Sequence, residues 1–410
     1  MSTPFGYATD LACRECGHTT GLGPYYACEQ CFGPLEVSYD FPRLTRESLE
    51  SGPPNLWRYA SLLPVRPDIA GSPGLEPGWT RLLRADNLAA ELGLRRLWIK
   101  DERGNPTHSF KDRVVAVALA AATEMGFKVL ACPSTGNLAN AVAAAAARAG
   151  IRSVVLIPAS LEQQKVIMTG IYGGTLVTID GTYDDANRLA SELAGEHEDW
   201  AFVNVNVRPY YAEGSKTLGY EVAEQLGWRL PEQIVIPVAS GSQLVKIDKA
   251  FQELAGLGLA DGDRWRLFGA QASGCAPVAA AFAAGRDVVQ PVRPDTIAKS
   301  LAIGDPADGP YALDAVRRTG GALADVSDEE IIDSIGLLAA SEGIFAETAG
   351  GVVVGVLRKL LAEGLLDPGA ETVIINSGDG LKTLDAVTSA VLPPEPIPPA
   401  LDAFRKAGLQ

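Results

Sequence analysis

The chain has 410 residues, 47% of them apolar, and a formal net charge of −15. That length and apolar content support two or three packed units and exclude wholesale disorder, and the acidic balance argues against nucleic acid and anionic membranes as partners. No apolar run approaches the ~20 residues that span a bilayer. The start, Met1-Ser2-Thr3-Pro4-Phe5, shows no basic region followed by an apolar core, so a cytoplasmic protein is expected.

The first element is a cysteine pattern. Cys13, Cys16, Cys28 and Cys31 form C-x2-C-x11-C-x2-C, while Cys132 and Cys275 stand alone. In a reducing compartment, two tight C-x2-C turns present four thiolates to one tetrahedral zinc more readily than they form disulfides. Four reduced thiols on a remnant that no longer holds metal is the alternative. The module reads as structural. Being remote in sequence from the turns described below, it is expected to be dispensable for activity.

Residues 34–77 are polar and punctuated by Pro53, Pro54, Pro64, Pro67 and Pro73, which predicts a linker. A regular alternation follows. Short β-rich runs at 97–100, 129–132, 154–157, 176–179, 234–238 and 372–375 are separated by helical stretches, among them 112–125, 138–149, 184–194 and 213–225. Strands of four to six residues alternating with longer helices predict α/β architecture with parallel sheets, covered on both faces. Neither an internal repeat nor a low-complexity segment interrupts it. The proline-rich end, with Pro393, Pro394, Pro396, Pro398 and Pro399, predicts an extended surface tail.

Ligands of open α/β sheets collect at the carboxyl ends of the strands, so the strand-to-helix turns are where chemistry is expected. Four of them carry it. In Asn105-Pro106-Thr107-His108-Ser109-Phe110-Lys111-Asp112-Arg113, Ser109 is the expected helix N-cap and Lys111 falls in the first helical turn. There the positive helix end and desolvation favour a neutral, nucleophilic amine. Pro133-Ser134-Thr135-Gly136-Asn137 offers hydroxyls and free N–H groups to an anion such as a carboxylate. Ala239-Ser240-Gly241-Ser242-Gln243-Leu244 lets the backbone approach a phosphate, and is neither a Walker loop nor G-x-G-x-x-G. Asn376-Ser377-Gly378-Asp379-Gly380-Leu381-Lys382 places a hydroxyl at a strand end. Taken singly, each is an ordinary capped loop or a surface lysine. Together they mark one ligand site.

The first turn resembles the N-P-T-G-S-F-K-D signature around the pyridoxal-phosphate (PLP) lysine of threonine synthases. The cysteine module followed by Phe32-Gly33-Pro34-Leu35-Glu36 resembles the N-terminus of one branch of that family. The stretches Tyr210-Tyr211-Ala212-Glu213-Gly214-Ser215-Lys216-Thr217 and Glu347-Thr348-Ala349-Gly350-Gly351 resemble it too, so the likeness spans nearly the whole chain. It implies PLP fold type II: two doubly wound parallel-sheet domains with a small N-terminal four-cysteine zinc-ribbon-like module. The expected division is 1–40 for the ribbon, 41–110 with 230–390 for a large PLP-binding domain, 111–229 for a small domain, and 391–410 for the tail.

The resemblance also implies roles. Lys111 binds PLP covalently and later removes the substrate's α-proton. Asn137 meets the PLP 3′-oxygen. Ser134, Thr135 and Gly136 hold the substrate carboxylate, and Ala239, Ser240, Gly241, Ser242, Gln243 and Leu244 cradle the PLP phosphate. Ser377 meets the pyridine nitrogen, where the family commonly has threonine; a hydroxyl there does not enforce ring protonation as a carboxylate would. The implied reaction converts O-phospho-L-homoserine and water to L-threonine and phosphate, in a homodimer. Three departures touch the substrate assignment. His108 stands where a glycine or other small residue is usual, and Asp379 where asparagine or histidine is. Many family members carry an arginine at the position of Tyr211, which leaves Arg208 as the nearest arginine for the substrate. The alternatives are β- or γ-replacement on another activated amino acid, as in cysteate synthase, a threonine dehydratase, and a non-catalytic ligand-binding paralogue.

Overall fold

The computed structural model describes residues 4–66, 68–69, 74–134, 136–388, 390–391 and 395–407; Pro67, Pro73, Thr135, Pro393 and Pro394 lie outside the described residues. The chain opens with a three-stranded antiparallel ribbon, β1 (Ala8–Cys13), β2 (Thr19–Thr20) and β3 (Leu35–Tyr39), in the order β2-β1-β3. The stretch expected to be a linker holds structure. It contributes β3, then α1 (Arg46–Glu50) capped by the Thr45 hydroxyl, then a 3-10 segment at Leu56–Leu62 whose Leu56, Tyr59 and Leu62 are buried. Its prolines separate these short elements without preventing them.

The alternation then runs β4 (Arg81–Arg84), α2 (Asp86–Leu92), β5 (Arg96–Asp101), α3 (Lys111–Glu124), β6 (Val129–Pro133), α4 (Asn137–Ala149), β7 (Arg152–Pro158), α5 (Gln163–Gly170), β8 (Thr175–Ile179), α6 (Tyr183–Glu196) and β9 (Trp200–Phe202). It continues with α7 (Arg208–Glu213), α8 (Lys216–Gln225), β10 (Gln233–Pro237), α9 (Ser242–Gly256), β11 (Arg266–Ala272), α10 (Pro277–Ala283), α11 (Gly309–Arg318), β12 (Ala322–Val326), α12 (Asp328–Glu342), α13 (Thr348–Ala362) and β13 (Glu371–Asn376). One six-stranded sheet has the order β12-β11-β10-β13-β5-β4, parallel except for the antiparallel edge strand β4. One four-stranded sheet, β8-β7-β6-β9, is wholly parallel. Successive residues of β10 enter different cores: Ile234 and Ile236 pack on one face, Val235 on the other. That is why the strand reads as a continuous apolar run rather than an alternation.

Three expectations change here. The 213–225 helix is two helices, broken after Glu213, and α8 packs on α9: Leu218, Tyr220 and Val222 lie in the core of the larger sheet, not the smaller one. The C-terminal tail carries a short exposed helix, α14 (Leu401–Lys406). The ribbon is not a separate appendage either. Leu11, Cys28, Leu35 and Val37 share one core with Val114 and Val115 of α3, Val142 of α4 and Tyr210 of α7.

A buried ion cluster ties the ribbon down as well. Lys246 of α9 reaches Glu36 of β3 at 2.5 Å and Glu213 of α7 at 2.6 Å. Lys216 reaches Glu213 and Glu253, while Lys249 donates to the Val37 carbonyl and to Glu213. Three carboxylates face three ammonium groups, and one of those carboxylates comes from the ribbon.

Candidate active site

The turn before α3 is built around Asp112. Its carboxylate accepts the Thr107 N–H at 2.7 Å and the Thr107 hydroxyl at 2.8 Å, closing the loop so that Lys111 opens the helix. Ser109 does not cap that helix: the cap position is Phe110, which makes no side-chain cap bond, and the buried Ser109 hydroxyl has no hydrogen-bond partner. His108 sits at φ 62°, in the left-handed region, which explains why a glycine suits this position. The turn is joined to the one after β13. Phe110 N–H donates to the Ser377 carbonyl at 3.0 Å, Asp379 N–H donates to the His108 carbonyl at 3.1 Å, and the buried Lys382 ammonium reaches the Thr107 carbonyl at 2.7 Å. The Asp379 carboxylate caps Leu381 at 2.9 Å and does not line the cavity described next.

Lys111, Asn137, Ala239, Ser240, Gly241, Ser242, Gln243 and Ser377 line one cavity, with about 580 Å³ of empty space that includes its opening to solvent. Lys111 Nζ donates to the Tyr211 hydroxyl at 3.1 Å. Burial draws its amine down to about 8, against the opposing charge of Glu347. Burial also raises the Tyr211 phenol well above its usual range, so it remains a protonated partner at neutral pH. Gly241 has φ 93°, and a Cβ there would lie 2.6 Å from the Asp308 carbonyl, so only glycine fits that turn. Leu244 is not in the cavity; its side chain packs in the core of the larger sheet.

A second, wider cleft opens from the first. It shares Lys111, Tyr211, Ala239, Ser240 and Ser242, and adds Ser134, Tyr183 and Arg208. Ser134 spends its hydroxyl oxygen on the N–H groups of Gly136 and Ala139, at 2.9 and 2.8 Å, capping α4. Gly136 lines neither space but turns at φ 117° directly over Lys165. Arg208 is paired with Asp308, the residue before α11, at 2.6 Å.

Sequence reasoning assigned no role to Glu347. It is fully buried at the cavity floor, takes Asn137 Nδ2 at 3.0 and 2.9 Å on its two oxygens, and lies 3.3 Å from the Ser377 hydroxyl. Its only signal was an acidic residue directly before a small-residue helix start. The ribbon's Tyr26, Ala27, Phe32 and Pro34 also line the wider cleft. The module remote in sequence is therefore adjacent in space, which removes the ground for thinking it dispensable.

A model of the pyridoxal-phosphate dependent enzymes matches residues 74–378. The chain is 37% identical to the threonine synthase of Methanocaldococcus jannaschii over 385 residues, covering 92% of this chain and 94% of that one. It is 36% identical to that of Methanosarcina acetivorans, covering 97% and 98%. The chain belongs to the pyridoxal-phosphate dependent enzymes, in the threonine synthase family. Its fold is that of solved PLP enzymes of low sequence identity. Tomato threonine deaminase isoform 2 aligns with a TM-score of 0.61 at 22% identity over 76% of this chain and 88% of that one. A serine ammonia-lyase from Rhizomucor miehei aligns at 0.62 and 22% over 73% and 93%. The turn that carries Lys111, the 239–243 loop and the Ser377 hydroxyl thus meet in one cavity of this chain. Among the described residues, no helix is long and apolar enough to cross a membrane.

Proposed function

We propose that this chain converts O-phospho-L-homoserine and water to L-threonine and phosphate in the cytoplasm, as a PLP enzyme, with Lys111 as the base. The observation that carries the reading is Lys111 at the join of the two spaces, lining one with the glycine-turned 239–243 loop and the other with Arg208. The residues present fit PLP. Three buried polar atoms of cavity-lining residues, Asn137 Oδ1, Gln243 Nε2 and Ser300 Oγ, have no partner among the described residues, and residues 239–243 line the same cavity. Bound there, PLP supplies the electrophilic carbon that the lysine amine attacks and an electron sink for the substrate.

The chain's own groups then divide the work. Lys111, with its amine drawn down by burial, takes the proton from the substrate's α-carbon, and Tyr211 fixes its direction. Ser134, which lines the wider cleft, would face the carboxylate. Ser377 would meet the ring nitrogen with a neutral hydroxyl, and Glu347 positions that hydroxyl and the Asn137 amide. Arg208 is the cation for the substrate phosphate and must share itself with Asp308 to serve. Incubating the PLP-loaded protein with O-phosphohomoserine should release phosphate and threonine in equal amounts; no phosphate would defeat the assignment.

We also infer that the ribbon binds one zinc. The four sulfurs lie within 4.8 Å of one another, with Cys13–Cys31 at 3.4 Å and Cys16–Cys28 at 3.7 Å. A tetrahedron with Zn–S near 2.3 Å requires sulfurs about 3.8 Å apart. Elemental analysis should find about one zinc per chain.

A further inference from the structure

The ribbon supplies part of the wall of the wider cleft, although its metal ligands are far in sequence from Lys111. Tyr26 and Phe32 lie in the second cysteine loop, Phe32 directly after Cys31. Phe32 is 84% exposed and held at φ 60°, a backbone state unfavourable to a bulky residue. An apolar ring kept strained and bare needs a reason. Its N–H donates to the Cys28 carbonyl at 2.9 Å, and the Cys28 N–H to the Gly33 carbonyl at 2.9 Å, so the turn is set by the cysteine knuckle itself. Tyr26 stands within electrostatic reach of Arg208.

The ribbon also grips both halves of the Arg208–Asp308 pair. On the Arg208 side, Tyr210 donates its hydroxyl to the Gly23 carbonyl at 3.2 Å and packs its ring on Phe5 at 5.3 Å. On the Asp308 side, Tyr311 of α11 lies under the Arg14 guanidinium at 3.7 Å and hydrogen-bonds Glu15. Arg14 and Glu15 are the two residues inside the first knuckle, between Cys13 and Cys16.

We propose that Tyr26 and Phe32 are specificity-determining residues of the wider cleft, contacting the phosphate end of the substrate, and that the four-cysteine knuckles hold them there. Tyr26 offers its hydroxyl to the anion beside Arg208, and Phe32 covers that end from water. This rests on the reading that the cleft takes a phosphorylated amino acid.

The test uses the PLP- and zinc-loaded protein. In Tyr26→Phe and Phe32→Ala, KM for O-phosphohomoserine and the inhibition constant of inorganic phosphate should both rise roughly fivefold or more, with kcat and cofactor absorbance held, as expected for the loss of about one contact of 1 kcal/mol. Phe32 and Tyr26 are exposed, so neither change threatens the fold. Inorganic phosphate should also slow backbone hydrogen exchange across residues 26–33, and removing zinc with a chelator should abolish that protection. Unchanged KM and phosphate inhibition in both variants, or exchange indifferent to phosphate, would overturn the proposal. If the unmodified enzyme releases no phosphate from O-phosphohomoserine, the assigned reaction fails instead, and the exchange measurement with inorganic phosphate still decides the wall.

Discussion

Lys111 and Arg113 leave the same turn of α3 two residues apart, and the protein treats them in opposite ways. Arg113 is fully buried and every face of its guanidinium is matched: Glu102 at 2.6 Å, Glu221 at 2.5 Å, and the hydroxyls of Thr217 and Thr80 at 3.1 Å. Lys100 joins at 2.6 Å from Glu221, so two cations balance two anions. Lys111 has one neutral partner, Tyr211, and around it lie polar atoms with none. The difference separates scaffold from site. Where the chain satisfies its own buried charge, the group fixes structure; where it leaves groups unmatched around a cavity, it is prepared for something that the chain does not contain.

The comparison breaks first if Lys111 turns out to be scaffold. Lys111→Ala should lower turnover by about a thousandfold or more while leaving unfolding free energy within about 1 kcal/mol. Borohydride reduction of the loaded enzyme should fix PLP to the peptide holding Lys111. Label on Lys100, Lys165 or Lys382, which are also buried, would show that the wrong amine had been chosen.

Arg113→Met should do the reverse. It strands Glu102 and Glu221 in a dry interior and should cost about 3–5 kcal/mol in denaturant unfolding, or prevent folding altogether. A change under 1 kcal/mol would mean that the cluster is hydrated and that the contrast with Lys111 is overstated.

Titration sharpens the contrast. The Lys111 amine loses its proton near 8 instead of near 10.5, and only the neutral amine attacks an aldehyde. The rate at which cofactor-free protein captures PLP should therefore climb as pH rises through about 8 and level off above it. A profile still climbing past 10 would say that burial does not lower this amine.

Ser377 gives a smaller effect. Ser377→Ala loses one hydrogen bond, about 0.5–1.5 kcal/mol, and should keep most activity. Ser377→Asp places a second carboxylate beside buried Glu347; it should favour a protonated ring, alter the cofactor's absorbance and lower the threonine yield. Identical behaviour of the two variants would show that the hydroxyl does not govern the ring. The smallest effect is expected at His108. His108→Gly relieves a left-handed residue and loosens the unfolded chain, two terms of about 1 kcal/mol with opposite sign, so the midpoint of unfolding should move by only a few degrees.

What could be read from the amino acids followed physical scale. The parallel α/β architecture shows in runs such as Ile234-Val235-Ile236, because a strand covered on both faces must be apolar throughout. The cavity's lining shows in the four turns, because each combines small residues with one reactive group at a strand end. Harder to see was anything decided by which sheet an element meets. The periodicity of α8 is the same whether it covers one sheet or the other, so its packing in the core of the larger sheet could not be read from it. Glu347 gives no local sign that Asn137 and Ser377 will converge on it from strands and helices far apart in sequence. Ser109 resembles a cap by type, but the turn is closed by Asp112 and Thr107, and the serine is left over. That Phe32 and Arg208 line one cleft is decided only when the chain has folded.

The ion pair between Glu36 and Lys246 joins residues 210 positions apart. During synthesis the ribbon emerges, and its cysteines can take metal, long before α9 exists. Until then Glu36 has only Arg14 of the ribbon itself, at 3.8 Å, and Lys216 and Glu213 later arrive without the rest of their cluster. The ribbon's apolar seat on α3, α4 and α7 can form earlier, and its ionic anchorage is completed only once α9 has emerged. Closing so long a loop adds little entropy beyond that for a loop half its length, so the delay is one of order in time rather than of stability. A ribosome-bound chain stalled before α9 should carry a ribbon that packs on α3, α4 and α7 but lacks its ionic anchor.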